Sequence, residues 1–285
     1  DRVRGVVART QQGDVIIHAD LTIGCDGRHS LIRERAGLVV EDIGAPIDVL
    51  WFSIGKTGLG DPAFIHAAMG RLMVTIDRGD YWQCAYIIPK GQIEALHARG
   101  LPAFRANVVE MVPVLAEHID DVKGWDDVKL LTVTVDRLKK WSAPGLLCIG
   151  DAAHAMSPVG GVGINLAIQD AVATANILAE KLQRNAVTDA DLDAVRERRL
   201  FPARVIQAIQ VQVHQRVIGS ALRGELKPPM MIRLISSVPV LQRWIGRLLA
   251  MGVRPEHVRS PKASAHHREP AIDRDRRAGD EIRRG

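Results

Sequence analysis

Residues 145–165 read GLLCIGDAAHAMSPVGGVGIN, and this junction limits the possible folds more than any other stretch of the chain. A short apolar run bounded by turn residues is the signature of a buried strand. It ends in Gly150-Asp151, passes through small residues and Pro158 to Gly160, Gly161 and Gly163, and then enters an apolar helical pattern. Strand, glycine-rich turn and helix in that order make a crossover unit of an α/β sheet, and ligands of such sheets sit at the carboxyl ends of the strands. Asp151 can there accept hydrogen bonds from sugar or ribitol hydroxyls. The glycines let backbone approach a flat ring closely. The N–H groups of Gly163, Ile164 and Asn165 open a helix, a place that favours negative charge. A plain crossover whose aspartate only caps the turn is the alternative, and the ordered run GDAAH, Pro, GGxGxN argues against it.

With 285 residues, 47% hydrophobic and 25% charged, the chain has material for a real core in one large or two modest domains. Its 38 Lys and Arg against 33 Asp and Glu leave a net charge of +5, part of it in the polar tail. That tail lacks the interleaved aromatics of a nucleic-acid surface, so nucleic acid is not an expected partner. Cys25, Cys84 and Cys148 form no CxxC pair, which argues against a structural zinc site and for a reducing, cytoplasmic setting. No apolar run reaches the roughly 18 residues of a membrane span, and the opening DRVRGVVART is no signal peptide. A start at Asp1 suggests a piece of a longer protein.

Along the chain, VRGVVART and DVIIHA read as a hairpin about Gln11-Gln12-Gly13. ADLTIGCDG is a strand ending in Asp26-Gly27, and RHSLIRERAG one or two helical turns. From Ile47 to Lys90 strands alternate, carrying the large side chains Trp51, Phe52, Met73, Tyr81, Trp82 and Tyr86; alternation separates Tyr81, Gln83 and Ala85 from Trp82, Cys84 and Tyr86. Gln92 to Val122 is helical in two pieces, 128–138 returns to strand, and a helix over 164–182 repeats Ala167, Ala171 and Ala175 on a face fit for packing on a sheet. Thr188-Asp189 caps a helical stretch to about Ser220 that breaks near Pro202. The amphipathic MMIRLISSVPVLQRWIGRLLAMG follows, suited to core packing, a homodimer contact or, less favoured, a membrane surface, and a disordered basic tail closes the chain.

The run GLLCIGDAAHAMSPVGGVGIN, together with ADLTIGCDGRHSLIR, resembles the FAD-dependent aromatic-hydroxylase family of single-component flavoprotein monooxygenases. The first matches that family's GD motif. Asp26, Gly27, Ser30 and Arg33 match its D-G-x-x-S-x-x-R motif, with a β-rich middle between the two. The resemblance implies an α/β (α+β) fold: an FAD-binding Rossmann-like domain with an inserted β-rich substrate domain and C-terminal helices. The expected boundaries are 1–44 and 137–184 for the FAD-binding parts, 45–136 for the insert, 185–252 for the helices and 253–285 for the tail. It implies that Gly150 and Asp151 bind the ribitol side of FAD, and that Pro158 lies by the reactive edge of the ring, with no acid or base assigned. The backbone of Gly163, Ile164 and Asn165, reached past Gly160 and Gly161, would meet the N1/C2 end, and Asp26, Gly27 and Arg33 would support the cofactor. Arg33 could pair with Asp26 or Glu34; His154 reads as a hydrogen-bonded turn element, and Arg28 and His29 as solvated turn residues.

A complete member of that family opens on a strand, a G-x-G-x-x-G turn and a helix that hold the pyrophosphate. This chain shows no such opening. Gly58-Leu59-Gly60-Asp61-Pro62-Ala63 imitates it, but in a β-rich context with Asp-Pro at the would-be helix start. The chain therefore reads as the carboxyl-terminal two-thirds of a flavoenzyme. The implied activity is NAD(P)H- and O2-dependent oxygenation of an aromatic or similar small organic substrate, in which the cofactor supplies the redox chemistry. A flavin-dependent halogenase or prenyl reductase is the alternative within redox chemistry; YWQCAYIIP is similar to the halogenase W-x-W-x-I-P pattern, with different spacing. A non-catalytic remnant unable to bind FAD is the alternative from another class. No metal site is visible.

Overall fold

The computed structural model describes residues 2–56, 64–68, 70–222, 224 and 239–259. The strand-rich middle forms a five-stranded sheet in the order β6 (Ile65–Ala68), β7 (Arg71–Asp77), β8 (Tyr81–Pro89), β5 (Ile47–Gly55), β9 (Lys129–Leu131). Every neighbouring pair is antiparallel, and β5 and β8 pair along their whole length, from Ile47 opposite Pro89 to Gly55 opposite Tyr81. The period of two then sorts side chains by face. Leu50, Phe52, Ile54, Met73, Trp82, Cys84 and Tyr86 point to one side, where α3 (Leu101–Met111) covers them with Phe104 and Val108. The Phe104 ring meets Phe52 and Tyr86 edge-on at 5.4 and 5.5 Å. Of the six large side chains of the middle strands, Phe52, Met73, Trp82 and Tyr86 are therefore core beneath helices. Trp51 and Ala85 lie on the other face with Ile47, Val49, Ile87 and Val133, and the exposed Tyr81 shares their strand parity. The helical stretch before β9 has three pieces rather than two: α2 (Ile93–Ala98), α3, and a 3-10 segment over Pro113–Asp121.

A smaller sheet carries the two motifs. β3 (Thr22–Gly24) and β12 (Leu146–Cys148) are parallel, and β11 (Ser142–Ala143) runs antiparallel to β12. Gly24 is required by close approach, since a Cβ there would meet Cys148 Sγ at 3.0 Å and Ile32 Cγ2 at 3.1 Å. Burial pushes the Cys148 thiol up to about 11 and that of Cys84 to about 12, so both are inert packing groups. Cys25, expected inside the apolar strand, lies one residue past its end and is exposed. Ahead of β3, the expected hairpin forms from β1 (Gly5–Thr10) and β2 (Gly13–His18).

The expected strand over 128–138 is two strands. Beyond β9 the Val133 N–H is captured by the Asp48 carboxylate at 3.0 Å. The chain then leaves the large sheet, and β10 (Asp136–Leu138) pairs instead with β4 (Val40–Asp42). α4 (Gly163–Gln183) and α5 (Asp189–Val213) follow the GD motif. Asp191 caps α5 by accepting from the Thr188 N–H and hydroxyl. α5 runs unbroken through Pro202, and the expected interruption falls later, at a π-helical turn over His214–Ile218 that leads into α6 (Gly219–Leu222).

On α4 the alanine face does not lie on a sheet: Ala171 and Ala175 are exposed beside Ile164 and Ile168. α7 (Pro239–Met251) comes next. The segment after it, expected to begin a disordered tail, turns back onto α4 and α5: Asn176 donates to the His257 carbonyl at 2.8 Å, Arg259 N donates to Asn176 Oδ1 at 2.7 Å, and Arg198 pairs with Glu256 at 2.6 Å. The imitation glycine run 58–63, residues 230–238 of the amphipathic piece and the tail from 260 lie outside the described residues. Among the described residues no helix is long and apolar enough to cross a membrane, and no group of three His, Cys, Asp or Glu could hold a metal.

Candidate functional site

A cleft of about 470 Å³ opens where β3 and β12 end. Asp26, Gly27, Arg28 and His29 line it from the β3 side, Asp151 from the β12 side, and Leu130, Leu131 and Thr132 from the end of β9. The two aspartates, distant in sequence, thus share one concavity at the carboxyl ends of parallel strands, where α/β sheets take their ligands.

Asp26 is mostly committed to its own loop. Its Oδ1 accepts from the Ser30 hydroxyl at 2.6 Å and its Oδ2 from the Ile32 N–H at 3.2 Å, fixing the start of α1 (Leu31–Arg35). Partial burial pushes its carboxyl up, but these bonds outweigh it and hold the group below its ordinary value. Ser30 caps the same helix from the Arg33 N–H at 3.0 Å. Arg33 pairs with neither Asp26 nor Glu34. Its guanidinium grips Asp136 with two bonds of 3.1 Å and also donates to the carbonyls of Ala152 (3.4 Å) and Arg28 (2.5 Å). Both partners of this fork are nearly buried, so Arg33 is a crosslink between the β3 loop, β10 and the GD turn rather than a group free for a ligand.

The GD turn is held from behind. Gly150 sits at φ +59°, and its N–H donates to Asp170 Oδ2 of α4 at 3.0 Å. A Cβ on Gly150 would stand 3.1 Å from the Ala167 Cβ. Gly150→Ala is expected to cost about 1–3 kcal/mol, from left-handed backbone and the push on α4, measured as a fall in the denaturation midpoint. Asp170 is fully buried; it also takes His154 Nε2 at 2.6 Å and Arg199 Nε at 2.9 Å. Burial pushes its carboxyl up, yet His154 and Arg199 outweigh that and hold it below the ordinary value. His154, tilted against Trp141 with ring centres 5.0 Å apart, is part of this support, as a turn element should be.

Pro158 is half-buried in a segment clamped by α5 and the π-helical turn. Gln210 accepts from the Ser157 N–H (3.1 Å) and donates to the carbonyls of Ser157 (2.9 Å) and Val159 (3.0 Å). His214 Nε2 lies 2.8 Å from the Ser157 hydroxyl, and burial pushes its imidazole below the ordinary value. Gly160 and Gly161 are exposed, Gly163 begins α4, and Ile164 is 69% exposed. A Cβ on Gly163 would be 3.8 Å from Asp151 Oδ1, which brings the start of α4 next to the carboxylate in the cleft. The Asn165 side chain is turned to the Ala250 carbonyl of α7 at 3.2 Å, so only its backbone is free to face a ligand.

These shifts set an acid dependence. A buried histidine held below its ordinary 6.5 is neutral in the fold, so below that pH the unfolded chain binds the extra proton and stability falls. Asp48 and Asp170, held below 3.8, contribute fully above that value and lose their contribution as pH drops through it. The melting temperature is expected to decline in two stages, the first starting near pH 6.5 and removed by His214→Phe, the second below about pH 4.

The motifs point to Asp26, Gly27, Gly150 and Asp151 but not to Asp136, Asp170, Arg199 and Gln210, whose side-chain partners lie 16 to 103 positions away in the chain. A buried-looking charge inside an apolar helix pattern, Asp170 in NLAIQDAV, was the one available signal.

A family model described as "FAD binding domain" matches residues 1–209. The 6-methylpretetramide 4-monooxygenase of Streptomyces rimosus is 32% identical over 260 residues, covering 90% of this chain and 62% of that protein. The dialkyldecalin synthase of Streptomyces rugosporus is 29% identical over 181 residues, 59% of this chain and 36% of that one. Among solved structures, the OxyS anhydrotetracycline hydroxylase from Streptomyces rimosus shares the fold with a TM-score of 0.61 at 20% identity, over 93% of this chain and 52% of that one. The chain thus spans less than two-thirds of the proteins it matches. With the family match over most of its length, and both motifs meeting in one cleft, the chain belongs to the FAD-binding domain family of flavoproteins.

Proposed function

We propose that this chain forms the part of an FAD-dependent monooxygenase that holds the ribityl side of the flavin and covers its ring, in an enzyme that uses NAD(P)H and O2 to hydroxylate an aromatic or similar small organic substrate. The observation that carries the reading is Asp151: a carboxylate in the cleft whose one ion pair among the described residues is a loose 3.7 Å contact with Arg28, beside the opening of α4. Its acceptors are available to ribityl hydroxyls, and the residues present fit the group. When bound, the flavin would carry two electrons from the nicotinamide to O2, one oxygen atom entering the substrate and the other leaving as water.

The chain's own residues bind, orient and exclude water. Asp151 accepts from hydroxyls, and the Gly163–Asn165 backbone offers N–H groups where a reduced ring is negative. Pro158, fixed by Gln210 and Ser157, shapes the edge without a titratable group, which suits chemistry that must keep water and stray protons away. Trp51 and Leu131, partly buried at the margin of the core cluster on their face of the large sheet, are the candidates for the substrate side, Leu131 also lining the cleft. 6-Methylpretetramide, named in one relative, is the first substrate to try. The test is to titrate the purified chain with FAD, following quenching of flavin fluorescence, and then to follow NAD(P)H oxidation with and without the aromatic. Binding, with oxidation stimulated by the aromatic and a product heavier by one oxygen, supports the reading; absence of any flavin binding overturns it in favour of a non-catalytic chain.

A further inference from the structure

Towards its C-terminal end the buried face of α5 carries a polar row that runs into the π-helical turn. Gln207, Gln210 and His214 stand three and four positions apart, hence on one side of the helix, and all three are buried. Each reaches the same segment, residues 155–159, between the GD turn and the glycines. Gln207 donates to the Ala155 carbonyl at 3.2 Å. Gln210 takes the Ser157 N–H and donates to the Ser157 and Val159 carbonyls. His214 Nε2 lies within reach of the Ser157 hydroxyl, whose oxygen accepts from the Val159 N–H at 3.2 Å. Pro158 has no N–H to be held by, so the bonds to Ser157 and Val159 on either side of it are what fix it. The row is costly to bury. His214 Nδ1 is buried with no hydrogen-bond partner among the described residues, a loss that a leucine would not incur. The π-helical turn opens at His214 itself, a distortion found mostly at functional sites. Apolar packing would hold the segment with less strain on solvation, but directed bonds specify one backbone position.

Resting on the flavin reading above, we infer that Gln210 and His214 are positioning residues: acting through Ser157 and Val159, they set the Pro158 backbone against the reactive edge of the ring. The test compares wild type with Gln210→Leu, His214→Leu and His214→Gln, and with Leu115→Ala, a core change on the α3 side of the large sheet. Amide exchange is followed residue by residue without flavin. Rates are taken relative to the Ala155 amide, which Asp136 holds, so that a general loss of stability, as in Leu115→Ala, cancels. Relative exchange is expected to rise about tenfold, the worth of one hydrogen bond, at Ser157 in Gln210→Leu and at Val159 in His214→Leu. His214→Gln, whose amide can reach the Ser157 hydroxyl, restores most of the protection. With FAD, NAD(P)H and the aromatic, both leucine variants are expected to hydroxylate roughly 10- to 100-fold more slowly, the cost of a misplacement of about 1 Å. FAD affinity and the KM for the aromatic stay near wild type, because neither residue lines the cleft. Unchanged relative exchange in either leucine variant overturns the inference. So does raised exchange with hydroxylation slowed no more than in Leu115→Ala. In both of those cases a wild type that binds FAD and hydroxylates leaves the proposed function standing, whereas one that binds no flavin overturns the two together.

Discussion

Asp170→Ala is expected to lower stability by about 3–5 kcal/mol, the cost of leaving a buried charge without its partner. The arithmetic follows from what Asp170 holds. Arg199 is 0% exposed and gives its Nε to this carboxylate, with Glu256 at 3.6 Å as the one other anion among the described residues. His154 loses the acceptor of its Nε2, and the Gly150 N–H loses its bond to α4. At about 2–4 °C per kcal/mol for a chain of this size, the melting temperature should fall by roughly 10 °C. A double change, Asp170→Leu with Arg199→Met, should recover much of the loss, because an apolar pair of similar volume removes both buried charges. If the single variant melts within a degree or two of wild type, the network is not the support described here.

Asp151→Ala should do the opposite. Its side chain is 30% exposed and makes one loose ion pair, so folding is expected to change by less than about 1 kcal/mol. Flavin affinity is expected to fall by about 10- to 100-fold, the loss of one or two hydrogen bonds to a charged acceptor. Calorimetric titration of the two proteins with FAD checks both halves. Asp151→Asn, which keeps one acceptor oxygen, should lie between. A large stability loss with unchanged affinity would mean that the aspartate only caps the turn.

The site was legible where function is written locally. Asp26-Gly27 and Gly150-Asp151 each follow a short apolar strand, and strand ends with glycine are visible without knowing the rest of the fold. That the two strands are parallel neighbours, Leu147 beside Ile23, is encoded in neither strand alone. The supports were not legible. Arg33 has an acidic neighbour in sequence, yet its partner is Asp136, 103 positions away, on a strand that pairs with β4 after the chain leaves the large sheet past Val133. Pro202 reads as a break, and the helix continues because tertiary packing of its buried face overrides the missing hydrogen bond. The alternation on β8 divided its aromatics correctly into two sets, but which set faced α3 depended on a helix whose docking no periodicity encodes.

The return of the last described residues has a practical meaning for dissecting the protein. Glu256 sits against two arginines of α5, and Asn176 of α4 clasps the backbone at His257 and Arg259. A version ended at Met251, the natural place to stop if helices alone were counted, would strip an anion from the fully buried guanidinium of Arg199. The packing on the carboxyl side therefore reaches Arg259, and deletion series that stop short of it should be read as tests of folding before they are read as tests of activity.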